Sequence, residues 1–290
     1  MMLLSTMTNI HQTYRHTMRE YAYPIEESLE YIARGGFPAA DLSLISVCAH
    51  GNILGTDRWR DFVGSCGEAL ARTGLIPCQA HAFYTQDRDV VIGSDEFRRD
   101  WMFTARTISV AAELGVPWAT VHPIYGARLP DMTTDEVFDF NLRYFSDLGE
   151  TASKAGIGIA IENMIQPPFN DPEMIIRLLD RLNDDSLFGV CLDTGHANLN
   201  SIDIPALILR LGSRLRTTHI HDNHGHYDEH IPPYSGDIEW EKVMHAFRQS
   251  GYSGAFNFEL PQTTRNIPAV FHDDVVRYVY KLGNYLLGME

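Results

Sequence analysis

Six side chains that can bind a metal or transfer a proton recur along this 290-residue chain, each at the end of a short apolar run. They are His81 after IPCQA, His122 after WATV, Glu162 after GIAI, Asp193 after GVCL, His219 in RTTHIH and Glu259 after AFNF. Imidazole and carboxylate together form a ligand set for zinc, manganese, cobalt or iron, whereas oxygen ligands alone suit magnesium or calcium. Carboxylates gathered at one place repel one another unless a cation compensates them. The series therefore predicts a divalent metal site.

Two stretches concentrate these side chains. One is Asp193-Thr194-Gly195-His196, and the other is HIHDNHGHYDEHIPPYSGDIEW, which begins at His219 and contains five of the 13 histidines. In an extended strand His219 and His221 face the same side because they are two residues apart, so either can be the inward ligand. Further candidate ligands of a metal or a substrate are His81, His122, His221, Asp228 and His230.

Eight short apolar runs must position these residues. They are STMTNI near residue 5, DLSLIS at 41, IPCQAHAF at 76, PWATVHP at 117, GIGIAIE at 156, FGVCLD at 188, RTTHIH at 216 and GAFNFE at 254. Their spacing of roughly 30 to 40 residues fits one β-strand and one helix per unit. Between them, Thr133 and Glu136 predict a capping box that begins a helix ending at Gly156, and Asp171-Pro172 predicts another helix start.

Eight such units predict an α/β fold, namely a single-domain (β/α)8 TIM barrel with parallel strands over residues 1–290. A doubly wound open sheet is the rival, but it favours a Gly-x-Gly-x-x-Gly turn after an early strand, and the sequence has none. In a TIM barrel, function resides at the carboxyl ends of the strands, which is where the six side chains fall.

Charge and cysteine content narrow the possible partners and location. The formal charge of -15 makes nucleic acid and anionic membrane poor partners. Cys48, Cys66, Cys78 and Cys191 are scattered with no Cys-x-x-Cys pair, which disfavours a disulfide framework or a thiolate zinc site. The opening MMLLSTMTNI lacks the basic region of a signal peptide, and no run approaches the roughly 18 apolar residues of a membrane span. A cytoplasmic protein is expected.

Four motifs on these units resemble a known family. IENM, DTGH, HIHDN with a downstream Asp-x-His, and FELP are similar to the xylose isomerase-like TIM-barrel superfamily (sugar phosphate isomerase/epimerase; AP endonuclease family 2). The resemblance covers nearly the whole chain and is strongest over residues 157–261. The superfamily includes metal-dependent sugar isomerases and epimerases as well as endonuclease IV.

The resemblance implies a set of metal ligands. In epimerase-type members, Glu, Asp, His and Glu from successive strands hold one divalent ion, frequently manganese. By motif these ligands match Glu162, Asp193, His219 and Glu259. His219 is preferred to His221 because the family's ligand commonly lies three residues before an acidic position, here Asp222, and His196 resembles the family's substrate-contacting histidine. One divalent ion per chain (Mn, Zn, Co or Mg) is expected.

The resemblance also implies an enzyme of carbohydrate metabolism, an isomerase or epimerase. The metal would stabilise the enediolate formed when the proton next to a sugar carbonyl leaves, with Glu162 and Glu259 as acid and base. Lys and Arg are absent from 217–241, and Gly225 stands where some ketose epimerases carry an arginine. A free sugar or polyol is therefore favoured over a sugar phosphate, unless Arg88 or Arg128 reaches the site. A homo-oligomer is a further expectation from the family.

Three alternatives remain open on the sequence. Endonuclease IV holds three zinc ions with nine ligands, and a candidate for each exists by type and order: His81, His122, Glu162, Asp193, His196, His219, Asp228, His230 and Glu259. A zinc phosphodiesterase acting at abasic DNA is thus the first alternative, although the negative charge opposes duplex binding. The others are a lyase or dehydratase with the same enolate chemistry and a non-catalytic barrel that binds sugar or metal.

Overall fold

A computed structural model of the chain describes residues 1–11, 13–15, 20–22, 25–45, 53–84, 92–126, 129, 131–261 and 263–289. Eight parallel strands form one sheet: β1 (Leu3–Met7), β4 (Ala39–Ser43), β5 (Ile76–His81), β6 (Trp118–Val121), β7 (Gly158–Glu162), β8 (Phe188–Asp193), β9 (Leu215–His219) and β10 (Ala255–Phe258). A short antiparallel hairpin, β2 (Thr13–Arg15) and β3 (Glu20–Ala22), follows β1 and was not predicted.

The sheet closes on itself. The first strand, β1, pairs in parallel with both β4 and β10, and a bridge between Ile220 and Phe258 links the chain just after β9 to β10. Since an open doubly wound sheet would not join its first and last strands, the rival architecture is wrong. Each of the eight predicted runs overlaps a barrel strand, which confirms the prediction of a TIM barrel.

Helices lie between the strands. They are α1 (Ile25–Gly35), α2 (Trp59–Thr73), α3 (Asp95–Glu113), α4 (Thr134–Ala155), α5 (Pro172–Leu182), α6 (Thr194–Leu199), α7 (Ile204–Leu211), α8 (Trp240–Ser250) and α9 (His272–Leu287). Across the described ranges, none of them is long and apolar enough to cross a bilayer.

Two helix starts form as predicted. At α4 the Thr133 backbone N–H donates to Glu136 Oε2 at 2.8 Å, which is one half of the capping box, and Gly156 ends the helix with a left-handed φ of 75°. At α5 the Asp171 side chain accepts a hydrogen bond from the Glu173 backbone, and Pro172 occupies the first turn. The end of α4 at Gly156 precedes β7, and the start of α5 at Pro172 follows it, so the two signals bracket this barrel strand.

Apolar side chains fill the layer between strands and helices, and Trp240, Phe138 and Phe145 are among the largest that are fully buried. Each contributes about 1.5–3 kcal/mol through burial. The inside of the barrel is different, because hydrogen bonds cross it between strands that are not neighbours. Thr120 of β6 meets Thr217 of β9, with their Oγ1 atoms 3.1 Å apart. A buried polar layer therefore lies beneath the carboxyl ends of the strands.

Candidate metal centre and active site

The six strand-end residues converge on one mouth of the barrel. His81, Glu162, Asp193 and His219 are the last residues of β5, β7, β8 and β9, while His122 and Glu259 directly follow β6 and β10. Parallel strands in a closed barrel bring their carboxyl ends to the same rim, so the residues meet although they are far apart in sequence. All six are largely buried: His122 is the most exposed, with 13% of its side chain accessible.

The four residues predicted as metal ligands form one cluster. Glu162, Asp193, His219 and Glu259 each offer one donor atom, and these four atoms lie within 4.8 Å of one another. At its centre, His219 Nδ1 is 3.1 Å from Glu162 Oε1 and 3.0 Å from Glu259 Oε2. Three carboxylates and one imidazole are a donor set suited to a divalent cation such as Mn²⁺ or Zn²⁺.

An unsatisfied buried atom adds to this fit. Glu162 Oε2 has no hydrogen bond of acceptable geometry within the described part of the chain, even though His122 Nε2 lies 3.0 Å away. A buried carboxylate oxygen without a partner is costly unless a donor or cation satisfies it. The residues at the barrel mouth therefore suit a bound divalent cation.

Two further groups flank the four-residue cluster. On one side His81 Nε2 lies 3.1 Å from His122 Nε2 and 3.4 Å from Glu162 Oε2. On the other, Asp228 Oδ2 lies 3.0 Å from His230 Nε2 and 3.5 Å from His196 Nε2. The nine candidates identified from the sequence thus form three adjoining groups.

Burial and charge act in opposite directions on the central carboxylates. Burial alone would raise the pKa of the Glu162 carboxyl, but the neighbouring His219 and His122 side chains outweigh it and hold this pKa well below its ordinary value. The pKa of Glu259 is likewise lowered, because His219 and His230 outweigh the effect of burial. Both glutamates are therefore ionised near neutral pH.

His196 is held at the turn after β8. The Asp193 carboxylate caps α6 and accepts from the His196 backbone N–H at 2.7 Å, and His196 Nδ1 donates to the Asn163 carbonyl at 2.8 Å. Burial would lower the pKa of this imidazole, but Asp193 and Asp228 raise it to about 10. The side chain is thereby a fixed cationic donor whose Nε2 is directed toward Asp228.

His221 has a separate position from His219. Its Nε2 lies 3.0 Å from an oxygen of Asp193, and its ring stacks on His230 with the centroids 4.0 Å apart. A Cβ on Gly195 would lie 1.9 Å from His221 Cε1, so this turn of the DTGH motif requires glycine. His219 lies against the two glutamates, whereas His221 lies against Asp193 and forms a second possible ligand group with His230 and Glu259, whose donor atoms are within 4.8 Å of one another.

Several residues that support the site were not predicted to bind the metal or the substrate. Asp41 lies beneath His219, 3.6 Å from its Nε2, and Asn163 pairs through its side-chain amide with the Asp193 backbone. Asp222 accepts from Trp240 Nε1 at 2.8 Å and so anchors the loop that carries Asp228. The available signal for Asp41 is an acid in an otherwise apolar run, since an ionisable residue there must be buried with partners.

Other predictions for this region have mixed outcomes. Arg88, Arg128 and Cys48 lie outside the described residues. Cys66, Cys78 and Cys191 are free thiols. The sequence suggested no function for Cys191. Its thiol lies close to Glu162 and His219, and burial raises its pKa to about 11.

Curated relatives cover only part of the chain. One, uncharacterized protein y4fM of Sinorhizobium fredii, is 32% identical over 161 residues, which is 53% of this chain and 50% of that protein. A second, uncharacterized protein MJ1311 of Methanocaldococcus jannaschii, is 31% identical over 52% of this chain and 53% of that protein. The chain spans about half the length of the curated relatives it matches.

Solved structures share the fold over nearly the whole chain. A D-tagatose 3-epimerase-like protein aligns with 98% of this chain and 99% of its own at 22% identity and a TM-score of 0.71. D-psicose 3-epimerase, solved in the presence of D-fructose, aligns with 99% of this chain and 100% of its own, at 15% identity and a TM-score of 0.77. The IOLI protein with a binding zinc atom aligns with 99% of this chain and 98% of its own, at 16% identity and a TM-score of 0.74.

The family assignment rests on the sequence match. Residues 40–275 match the family described as xylose isomerase-like TIM barrel, which is well over half of the chain. The closed barrel and the solved structures that share it agree with this match. The chain therefore belongs to the xylose isomerase-like TIM-barrel family.

Proposed function

We propose that the protein is a divalent-metal-dependent epimerase or isomerase of a small sugar. The observation that carries the proposal is the buried cluster at the barrel mouth, in which donor atoms of three carboxylates and one imidazole lie within 4.8 Å of one another. Two structural neighbours support it, since they are named as a D-tagatose 3-epimerase-like protein and a D-psicose 3-epimerase.

The residues proposed to hold the cation are Glu162, Asp193, His219 and Glu259. A bound divalent ion supplies Lewis-acid chemistry, polarising a carbonyl so that the neighbouring C–H becomes acidic. The metal is Mn²⁺, Zn²⁺, Co²⁺ or Mg²⁺ in this proposal, one per chain. A neighbour with bound zinc supports a cation in this fold.

Glu162 and Glu259 are the proposed acid and base. Their oxygens lie 3.1 and 3.0 Å from the same atom, His219 Nδ1, so the two carboxylates approach one point from different strands. Both have a lowered pKa and are ionised near neutral pH, which a base requires. One takes the proton next to the carbonyl. In an epimerisation the other must itself carry a proton, gained from solvent before the step, and delivers that proton to the opposite face.

His196 is the proposed substrate contact. It is fixed by its Nδ1 hydrogen bond to the Asn163 carbonyl. Burial lowers its pKa, but the Asp193 and Asp228 carboxylates outweigh this effect and favour the protonated ring. A cationic imidazole N–H suits a sugar hydroxyl or carbonyl oxygen as a hydrogen-bond donor. Since 217–241 carries no Lys or Arg, a free sugar or polyol is the substrate class favoured here.

Solvent exchange tests the proposed reaction. The purified protein is loaded with Mn²⁺ and incubated in D₂O with a panel of ketoses, and deuterium incorporation next to the carbonyl is followed by NMR. We expect exchange into at least one ketose, with loss of exchange in Glu162→Gln. Absence of exchange into every ketose by metal-loaded protein would contradict the proposal.

A specific observation favours one alternative, a three-zinc phosphodiesterase acting at abasic DNA. The groups formed by His81, His122 and Glu162 and by His196, Asp228 and His230 adjoin the central cluster on either side. Elemental analysis separates the two functions. About one metal per chain supports the isomerase or epimerase, whereas about three metals together with cleavage of an abasic duplex would support the phosphodiesterase.

A further inference from the structure

Asp41 is a buried carboxylate beneath the metal cluster. It lies in the middle of β4, is fully buried, and accepts hydrogen bonds on Oδ2 from Gln79 Nε2 at 2.8 Å and Asn257 Nδ2 at 2.9 Å. Its other oxygen, Oδ1, has no hydrogen-bond partner in the described part of the chain. Two amide donors thus hold the carboxylate in place while leaving it capacity to accept another proton donor.

In the ranges that the structure describes, His219 has a buried nitrogen without a hydrogen bond, and this nitrogen faces Asp41 Oδ2, the oxygen that already accepts from the two amides. Its Nδ1 faces Glu162 and Glu259, whereas its Nε2 is buried, has no hydrogen bond among the described residues, and lies 3.6 Å from Asp41 Oδ2. An imidazole that gives Nδ1 to a cation keeps its proton on Nε2, and a buried N–H requires an acceptor. Asp41 is the carboxylate placed to provide one.

The surroundings hold Asp41 rigidly. The Asn257 amide oxygen accepts from Ser5 Oγ at 2.9 Å, and Gln79 Nε2 also lies 3.1 Å from the Thr218 carbonyl, next to His219. The network therefore joins β1, β4, β5, β9 and β10 beneath the site. A carboxylate fixed on several strands can determine the orientation of a ring on one of them.

We propose that Asp41 is a positioning residue, which accepts the Nε2 proton of His219 and so presents the His219 Nδ1 lone pair to the divalent cation. The inference rests on the proposed function insofar as that function requires a metal at this cluster. Carboxylates behind a ligating histidine orient the ring and raise its basicity, and their loss typically lowers metal affinity about 10- to 100-fold.

The Asp41→Asn variant tests the proposal. Asparagine keeps the size of the side chain but removes its charge. With its oxygen at the Oδ2 position it still accepts from Gln79 and Asn257 but is a weaker acceptor for the Nε2 proton, and with its amide nitrogen there it opposes a proton on Nε2 altogether. We expect the dissociation constant for Zn²⁺, measured by chelator competition, to rise about 10- to 100-fold. Thr120→Val is the control, because Thr120 is equally buried inside the barrel and its hydroxyl pairs with Thr217 Oγ1. Its Zn²⁺ affinity is expected to match the wild type.

A measurement on the wild-type protein decides the case if Asp41→Asn does not fold. In Zn²⁺-loaded, ¹⁵N-labelled protein, we expect His219 to show a coordinated Nδ1 and a protonated Nε2. A metal bound through Nε2, an Nε2 without a proton, or Zn²⁺ affinity within twofold of wild type in folded Asp41→Asn would overturn the proposal. So would failure of the wild type to bind metal.

The outcomes separate this inference from the proposed function. If the wild type binds Zn²⁺ and exchanges deuterium but Asp41→Asn binds equally well, only the role of Asp41 fails. If metal affinity falls as expected in Asp41→Asn but no ketose undergoes exchange, the role of Asp41 stands and the proposed reaction fails.

Discussion

Glu162 and His219 are 57 positions apart in the chain, yet Glu162 Oε1 and His219 Nδ1 lie 3.1 Å apart at the barrel mouth. Their strands, β7 and β9, are not neighbours, because β8 lies between them in the sheet. The contact therefore passes over the end of β8, the strand between them. The last residue of β8, Asp193, belongs to the same cluster. This arrangement makes the central carboxylate dependent on three strands at once.

Replacing Glu162 or Glu259 with glutamine is expected to reduce deuterium exchange into the responsive ketose about 10²- to 10⁴-fold, because general acid–base groups contribute that much. The measurement is the exchange rate under saturating metal, with circular dichroism to show that the fold is kept. Glu173→Gln is the control, since Glu173 is exposed on α5 and pairs with Arg210. Full exchange in Glu162→Gln would instead show that the Glu162 carboxylate is neither the acid nor the base of the reaction.

Gly195→Ala is expected to destabilise the protein by about 1–3 kcal/mol and to weaken metal binding, since overpacking costs that much. The added Cβ would lie 1.9 Å from His221 Cε1, and the turn holds Asp193 and His196. Gly64→Ala is the matched control: it lies in α2 with no atom within 4 Å of the new Cβ, so it should stabilise by about 0.5–1 kcal/mol. Chemical denaturation measures both. Equal effects of the two variants would show that the turn tolerates a side chain.

Removal of metal is expected to lower thermal stability. A cation that binds the folded state alone adds about 4 kcal/mol at a free concentration 1,000 times its dissociation constant. Treatment with EDTA should therefore lower Tm, and added Mn²⁺ or Zn²⁺ should restore it. The same titration with Glu162→Gln should give a smaller shift, because one proposed ligand has lost its charge. A Tm that changes neither with EDTA nor with added metal would count against a metal at this cluster.

His11 is expected to make stability sensitive to mild acid. Its ring is buried and stacks on Tyr31 at 4.0 Å, and burial, opposed by Glu27, lowers its pKa below 6.5. The unfolded state then binds the proton more strongly, so the contribution of this group is present above pH 6.5 and is lost as pH falls below that value toward the folded-state pKa. Denaturation at several pH values between 7.5 and 5 measures the loss.

The variant His11→Phe keeps an aromatic ring and removes the titrating group. Its free energy of unfolding should fall less than that of the wild type over the same pH range. His245→Gln is the control, because His245 is exposed on α8. Parallel pH profiles for wild type and His11→Phe would show that His11 is not responsible.

The barrel could be predicted because its strands and helix starts are each marked by a pattern of neighbouring residues in the sequence. Each strand is a short apolar run, and the capping box of Thr133 and Glu136 and the proline at 172 mark helix starts through interactions within one turn. The hairpin at Thr13–Arg15 and Glu20–Ala22 was missed, because its short strands lack an extended apolar pattern.

By itself the sequence determined which strand ends carry metal-binding and proton-transferring side chains, because these follow apolar runs whose ends meet in any parallel barrel. Only the tertiary structure decided which side chains touch. The period of two places His219 and His221 on the same side, but only the closed barrel directs His219 toward both glutamates and His221 toward Asp193. It also brings Asp41 beneath His219, a contact between strands far apart in sequence that no local pattern encodes.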